Sequence, residues 1–420
     1  MLLYNALTQT LAPFAPADDV ATIYVCGITP YDTTHLGHAF TYSVFDVLIR
    51  YLEHQGRRVR YVQNVTDIDD DILRKAGETG EDWWTLGNRW TAHFIHDLQA
   101  INIRPPDHYP RATDVIPGIL AGVQRLIEAG AAYEANGNVY FHVDAYPAFG
   151  QLSHIPRDQM LAVANQRGNI PGDPNKRDPL DFVLWQTQKP GEPAWNSPWG
   201  PGRPGWHIEC STMSTQLLGE TVDIHGGGGD LAFPHHECEI AQVEPVTGKP
   251  FVRFWMHAAM VYHEGEKMSK SLGNLIMIRD LLKRWSPDAI RLYLASHHYR
   301  QSWSYDAGDL ARAEDKAGRL LAAAIAPSGP RPLPAAVSAA VDEAQTRLLA
   351  ALDADLDAPA ALAALDDYAA CLLDVGPDHD RTAAQSLLRR LAAIFGLRLD
   401  TDQPEARVLA GWDAHLQRFR

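Results

Sequence analysis

Residues able to do chemistry fall into a few short stretches. The first is YVCGITPYDTTHLGHAF, Tyr24 to Phe40, where Cys26 closes an apolar run and His35 and His38 flank Gly37 at the start of a helical pattern. Imidazoles beside the backbone N–H groups of a helix N-terminus form a site for phosphate, and Gly37 lets a ligand approach the backbone closely. KMSKS, Lys267 to Ser271, sets two lysines and two serines in a loop suited to gripping a polyphosphate. Each stretch alone has a plainer reading: histidines that cap a helix, and a solvated charged loop.

A second group is softer in its chemistry. HGGGGD, His225 to Asp230, ends a strand-like run. Glycines such as Gly227 and Gly228 let a flat ring or a ribose rest on bare backbone, and Asp230 can take a hydroxyl or an ammonium. In FPHHECEIA, His235 and Glu239 are four apart and share one helix face, workable spacing for zinc; Cys210 of GWHIEC and Cys26 could complete the set. Cys238 falls on another face and is left out. For any of these residues taken singly, a buried thiol or a surface carboxylate is the simpler account.

The elements that must position these residues are legible in outline. TIYVCGIT reads as a buried strand, Val44, Val47, Leu48, Tyr51 and Leu52 recur at helical spacing, and RVRYVQNV supplies a second strand. This β-α-β unit places Cys26 and the Thr66-Asp67 pair at the carboxyl ends of parallel strands, where such sheets bind ligands. About 110 to 200 is rich in proline and glycine and is expected to be an insertion that returns to the sheet near Trp206. The expected division is a Rossmann-like α/β catalytic domain over 1–306 and a C-terminal α-helical bundle over 307–420.

Bulk properties bound the rest. The 420 residues, 46% hydrophobic and 21% charged, suit a soluble protein of two or three domains. The N-terminus lacks a leader pattern and no apolar run nears about eighteen residues, so a cytoplasmic protein with no membrane partner is expected, most simply a monomer. Four scattered cysteines do not make a disulfide framework. A net charge of -15 argues against a surface generally coated by nucleic acid, while leaving room for a local basic groove.

Together HLGH and KMSKS resemble the signature pair of class I aminoacyl-tRNA synthetases. YVCG, NVTDIDD, KRDPLDFVLW, GRPGWHIECSTM, DIHGGGGDLAFPHHECEIAQ and GEKMSKSLGN, in order across about residues 20 to 306, are similar to the cysteinyl-tRNA synthetase group, which includes the mycothiol ligases. The resemblance implies a Rossmann-like class I catalytic domain and a zinc ion held by Cys26, Cys210, His235 and Glu239 that accepts the substrate cysteine's sulfur as thiolate, a form serine's hydroxyl does not readily take. It implies that Thr66, Trp206 and Asp230 contact cysteine. It further implies that His35, His38, Lys267 and Lys270, with Mg²⁺ on ATP, offset charge on the phosphates as cysteinyl-adenylate forms, near Gly37, Gly227, Gly228 and Asp230.

The acceptor is read from finer similarities. Glu239, FVLW, DIHGGG and EIAQ are closer to the tRNA synthetases, whereas CGITPYD and HHYRQSWSYD, with Trp303, are closer to the mycothiol ligases. From Ala335 to Arg420 there are 14 acidic residues against 8 arginines and no lysine, poor charge for phosphate contacts, and the tail is expected to lack the usual anticodon-reading module. The expected acceptor is tRNA(Cys), with a small amine such as glucosaminyl-inositol as the alternative. A non-catalytic relative fits the intact signatures least well.

Overall fold

The computed structural model describes residues 1–31, 33–268, 273–399 and 405–419. A hairpin of β1 (Leu2–Asn5) and β2 (Thr10–Pro13) precedes β3 (Val20–Ile28), α1 (Leu36–His54) and β4 (Arg58–Val65). β3 and β4 pair in parallel across α1. Alternation along β3 decides what each residue meets. Ile23 and Val25 pack with Phe45, Leu48 and Met256 on one face, whereas Tyr24 and Cys26 point to the other, beside Cys210, Met213 and Trp255.

After β4 come α2 (Asp70–Thr79) and α3 (Trp83–Ala100), capped by the Asp69 and Asp82 side chains, and then α4 (Ile116–Glu128). A separate antiparallel sheet follows, built from β5 (Ala132–Ala135), β6 (Asn138–Phe141), β7 (Phe182–Thr187) and β8 (Gly202–Pro204), with α5 (Arg157–Asn165) between β6 and β7. The chain rejoins the first sheet through α6 (Trp206–Leu218), β9 (Val222–Gly228), α7 (His235–Thr247) and β10 (Val252–Ala258). The resulting parallel sheet has the order β10-β9-β3-β4. The chain leaves β3 toward β4 on one side and reaches β9 on the other, so a crevice opens above the carboxyl ends of β3 and β9.

β11 (Val261–His263) and β12 (Glu266–Lys267) form a hairpin, and β11 also pairs in parallel with β13 (Trp303–Ser304). Between them lie the short α8 (Ile278–Leu281) and α9 (Pro287–Ala295). Helices α10 (Ala307–Ile325), α11 (Ala335–Asp353), α12 (Ala358–Leu373) and α13 (Thr382–Ile394) pack as a bundle whose apolar core is continuous with that under α1. α14 (Ala406–Leu416) turns back to α3, burying Trp412, whose indole N–H donates to the Ile103 carbonyl at 2.8 Å. Among the described residues no helix is long and apolar enough to cross a membrane.

Candidate active site

Three elements meet at the crevice and supply two thiols, an imidazole and a carboxyl. β3 brings Cys26, α6 brings Cys210, and α7 brings His235 and Glu239 from one face, as their spacing predicts. Gly27 is needed beside Cys26, since a Cβ there would stand 1.5 Å from the Asn64 carbonyl oxygen. The two sulfurs are 4.0 Å apart, Cys26 Sγ is 3.7 Å from Glu239 Oε1, and His235 Nε2 is 3.2 Å from the same oxygen. All four residues are buried and their donor atoms lie within 4.8 Å of one another.

Sequence reasoning missed two further imidazoles of this cluster. His225, on β9, and His236, on α7, bring Nε2 to 3.6 and 3.3 Å from Cys26 Sγ, and with Cys26 and Glu239 they make a second, overlapping set of donors. The His235-His236 doublet was the available signal: in a helix buried on all sides, both neighbours find polar partners. A layer of rings orients them. His207 Nδ1 lies 2.8 Å from His235 Nδ1, His257 Nε2 lies 2.8 Å from His236 Nδ1, and Trp206 stacks on His235 with centroids 4.1 Å apart.

Electrostatics gives the cluster its character. Burial pushes His207 and His225 down to about 3 and His257 to about 4, and holds His235 and His236 well below the usual imidazole value, so the rings are neutral donors. Burial raises the Cys26 thiol, with Cys210 and Glu239 adding to it, and burial likewise raises Glu239. Among the described residues, His235 Nε2 and Glu239 Oε2 make close polar approaches, 3.2 Å to Glu239 Oε1 and 3.5 Å to His225 Nε2, but no aligned hydrogen bond. Two thiols, a carboxyl and neutral imidazoles packed without a cation are the surroundings a thiophilic divalent metal fits, because its charge offsets the cost of ionising the thiols and carboxyl.

Of the phosphate-type motifs, HLGH stands at the start of α1, in the connection that follows β3. His35 caps α1, its Nδ1 accepting the N–H groups of Gly37 and His38 at 3.1 and 3.3 Å, and the two imidazoles stack with centroids 3.7 Å apart. Those two N–H groups are thus taken by His35 itself. The start of α1 is tied to the segment after KMSKS: Leu36 N–H donates to the Ile276 carbonyl at 2.8 Å and Ile278 N–H to the Thr34 carbonyl at 3.1 Å. Met268 is buried and stands beside Gly37. Lys270 and the side chain of Lys267 lie outside the described residues.

Gly227 and Gly228 occupy the end of β9, where a Cβ on Gly227 would press on Leu231 at 2.7 Å and one on Gly228 on the Asp230 carboxylate at 2.8 Å. A cavity of about 1230 Å³ runs from Trp206, Asp230 and His235 toward the antiparallel sheet. Thr66 is buried at the end of β4, its hydroxyl accepting from Asn64 at 3.3 Å; the cavity wall on that side includes Thr29 rather than Thr66.

Residues 14–315 match the family model for the catalytic domain of class I (C) tRNA synthetases. A cysteine–tRNA ligase of Alkalilimnicola ehrlichii is 47% identical over 98% of this chain and 88% of its own length. An L-cysteine:1D-myo-inositol 2-amino-2-deoxy-alpha-D-glucopyranoside ligase of Thermomonospora curvata is 45% identical over 94% of each chain. In fold the chain is similar to Mycobacterium tuberculosis methionyl-tRNA synthetase solved with methionyl-adenylate, at a TM-score of 0.65, 18% identity and 90% coverage of both chains. The chain is a ligase and belongs to the cysteinyl-tRNA synthetase and mycothiol ligase family of class I aminoacyl-tRNA synthetases.

Proposed function

We propose that the protein activates L-cysteine with ATP as cysteinyl-adenylate and passes the cysteinyl group to tRNA(Cys). The observation that carries this reading is the convergence of Cys26, Cys210, His235 and Glu239 in one buried cluster, of which His235 also lines the cavity that holds Trp206 and Asp230. A zinc ion held by those four residues would supply a soft Lewis-acid seat for the substrate's thiolate. Trp206 and Asp230 then hold the rest of the amino acid, Asp230 by its ammonium. With its carboxylate aimed at the α-phosphate of ATP, cysteine attacks while His35, His38, Lys267 and Lys270, with Mg²⁺ carried by the nucleotide, offset the charge that develops on the phosphates. A site that selects sulfur by a metal bond discriminates more than one packing contact can.

A second acceptor is supported by specific observations. The amino-sugar ligase from Thermomonospora curvata matches this chain over 94% of both lengths, and the helices from Ala335 onward carry few cations for phosphate contacts. In that reading the same adenylate meets the amine of a glucosaminyl-inositol. The test has two steps. Cysteine-dependent, serine-independent pyrophosphate exchange is expected for the first half-reaction, and its absence overturns the proposal. Radiolabelled cysteine is then offered with total tRNA and, separately, with glucosaminyl-inositol; acid-precipitable cysteinyl-tRNA supports the first acceptor, and a thiol-bearing amide without charged tRNA supports the second.

A further inference from the structure

The short turn Gly229–Ala232 between β9 and α7 carries Asp230, and Phe233 links it to the helix that holds His235 and Glu239. The insertion is fastened to this region at three places. Glu237 Oε2 accepts the N–H groups of Leu152 and Ser153 at 3.1 and 2.9 Å, and Glu244 accepts the Tyr146 hydroxyl at 2.5 Å, both on the helix itself. The third tie reaches the turn: Arg167, just after α5, donates one guanidinium nitrogen to the carbonyls of both Asp230 and Phe233. Among the described residues, three other lysines and arginines line the cavity, and these meet side chains. Arg203 and Lys189 pair with Asp70 and Glu192, and Lys176 donates to Asn169 at 2.6 Å. Of the four, Arg167 is the one directed at main-chain carbonyls of the turn.

The end of α5 is shaped to present it. The N–H groups of Arg167 and Asn169 both donate to the Ala164 carbonyl, at 2.9 and 3.2 Å, and Gly168 takes a φ of 90°, which a side chain would strain. Ala164 and Met160 of α5 are buried in the insertion's apolar core together with Phe182 and Phe233. The turn is thus held at two depths, by the Phe233 ring in that core and by Arg167 at the cavity wall. Apolar packing keeps the Phe233 end in place with or without the guanidinium. The Asp230 end, whose carboxylate lies close over Gly228, is where the added bridge matters.

We propose that Arg167 is a positioning residue for the amino-acid pocket, bridging the Asp230 and Phe233 carbonyls so that the turn keeps the shape that aims the Asp230 carboxylate at the ammonium of cysteine. It rests on the reading of Asp230 as the partner of that ammonium. A cation bonded to two carbonyls of one turn limits rotation of the peptide units between them. Without it the turn divides its time among several shapes, and affinity for cysteine falls by the fraction that remains competent.

Cysteine-dependent pyrophosphate exchange tests this with the wild type, Arg167→Ala, Arg167→Lys, Asp230→Asn and the Arg167→Ala, Asp230→Asn double variant, alongside metal content by mass spectrometry and urea midpoints. Arg167→Ala is expected to raise the KM for cysteine about 10-fold while kcat, the KM for ATP, metal content and the urea midpoint stay near the wild type. Arg167→Lys should recover part of the loss, since an ammonium can also donate to both carbonyls. In the Asp230→Asn background, removing Arg167 should add little, because one residue acts through the other. A cysteine KM within about three-fold of the wild type in Arg167→Ala, an equal rise in the KM for ATP, a urea midpoint that falls along with cysteine affinity, no recovery in Arg167→Lys, or full additivity in the double variant overturns the proposal. An unchanged cysteine KM in Asp230→Asn removes the reading of Asp230, and a wild type without exchange removes cysteine activation; either takes this proposal with it.

Discussion

Cys26 Sγ and Cys210 Sγ stand 4.0 Å apart in a buried site. A disulfide would bring them to about 2 Å, whereas two sulfurs each about 2.3 Å from one tetrahedral metal are separated by about 3.8 Å. Thiol-to-hydroxyl substitution tests the distinction. On the proposed reading the wild type is expected to carry one zinc per chain, read by mass spectrometry on the purified protein, and Cys26→Ser and Cys210→Ser to hold a substoichiometric level. Preference for cysteine over serine in pyrophosphate exchange should fall by about 10²-fold or more. Stoichiometric zinc with unchanged selectivity in both variants would refute the assignment.

The signature motifs make a separate prediction. Leu36 and Ile276 share a backbone hydrogen bond and Met268 sits beside Gly37, so described residues on both sides of 269–272 lie against the start of α1. Lys270 itself lies outside the described residues. Lys270→Ala is expected to slow cysteine-dependent pyrophosphate exchange by about 10²-fold, the range for losing one preorganised charge-stabilising donor. A smaller effect on the KM for cysteine is expected, because the proposed role of the lysine is at phosphate. An unchanged exchange rate would remove Lys270 from the first half-reaction.

These motifs also show what a single sequence reveals. Helical spacing puts His235 and Glu239 on one face and Cys26 and Cys210 could be added to them, but it was the family resemblance that implied the four as one set, and the structure brings their donor atoms together. His225 and His236 were not. Their roles depend on tertiary register: β9 places His225 opposite Tyr24 of β3, and α7 is buried on the face that carries His236 as well as on the face that carries His235. The β-α-β unit announced itself through periodicity. The return of α14 to α3 did not, since nothing local in GWDAHL specifies that Trp412 finds Ile103, more than 300 residues away.

Acid stability should report on that return. Glu405, just before α14, receives the Arg50 guanidinium at 2.7 Å and an Arg407 hydrogen bond at 2.7 Å. Burial raises its carboxyl, but Arg50 and Arg407 more than offset this and bring it down to about 2. A carboxylate depressed in the folded state contributes stability above its ordinary value of 4.5 and loses it as pH falls toward 2. Urea midpoints of the wild type are expected to fall across that window, and Glu405→Gln should flatten part of the decline while lowering the midpoint at pH 7. Parallel pH curves for the two proteins would show that Glu405 carries none of this dependence.

The most demanding test of the fold concerns Asp46 on α1, nearly all of it out of contact with solvent. Its Oδ2 accepts from Arg50 Nε at 2.9 Å and from the Arg291 guanidinium at 2.5 Å, while Oδ1 accepts the Arg104 N–H at 2.8 Å. Arg291 also donates to the Phe395 carbonyl after α13, and Arg50 to the Asn102 carbonyl after α3, so one carboxylate holds together α1, α9, α13 and the end of α3. Taking away that charge leaves the buried Arg291 guanidinium without its ion-pair partner and leaves Arg50 with Glu405 alone. Asp46→Ala is therefore expected to destabilise the protein by about 3–5 kcal/mol, the range for breaking a buried pair from one side. Arg291→Met alone should also destabilise, because the Phe395 carbonyl loses its donor. Combining Asp46→Leu with Arg50→Met and Arg291→Met removes all three charges at similar volume and should recover part of the loss, since desolvating the ions opposes their attraction. Urea unfolding of the four proteins at pH 7 checks the order; a single Asp46→Ala loss below about 1 kcal/mol would mean that water reaches the guanidinium groups and the network is not dry.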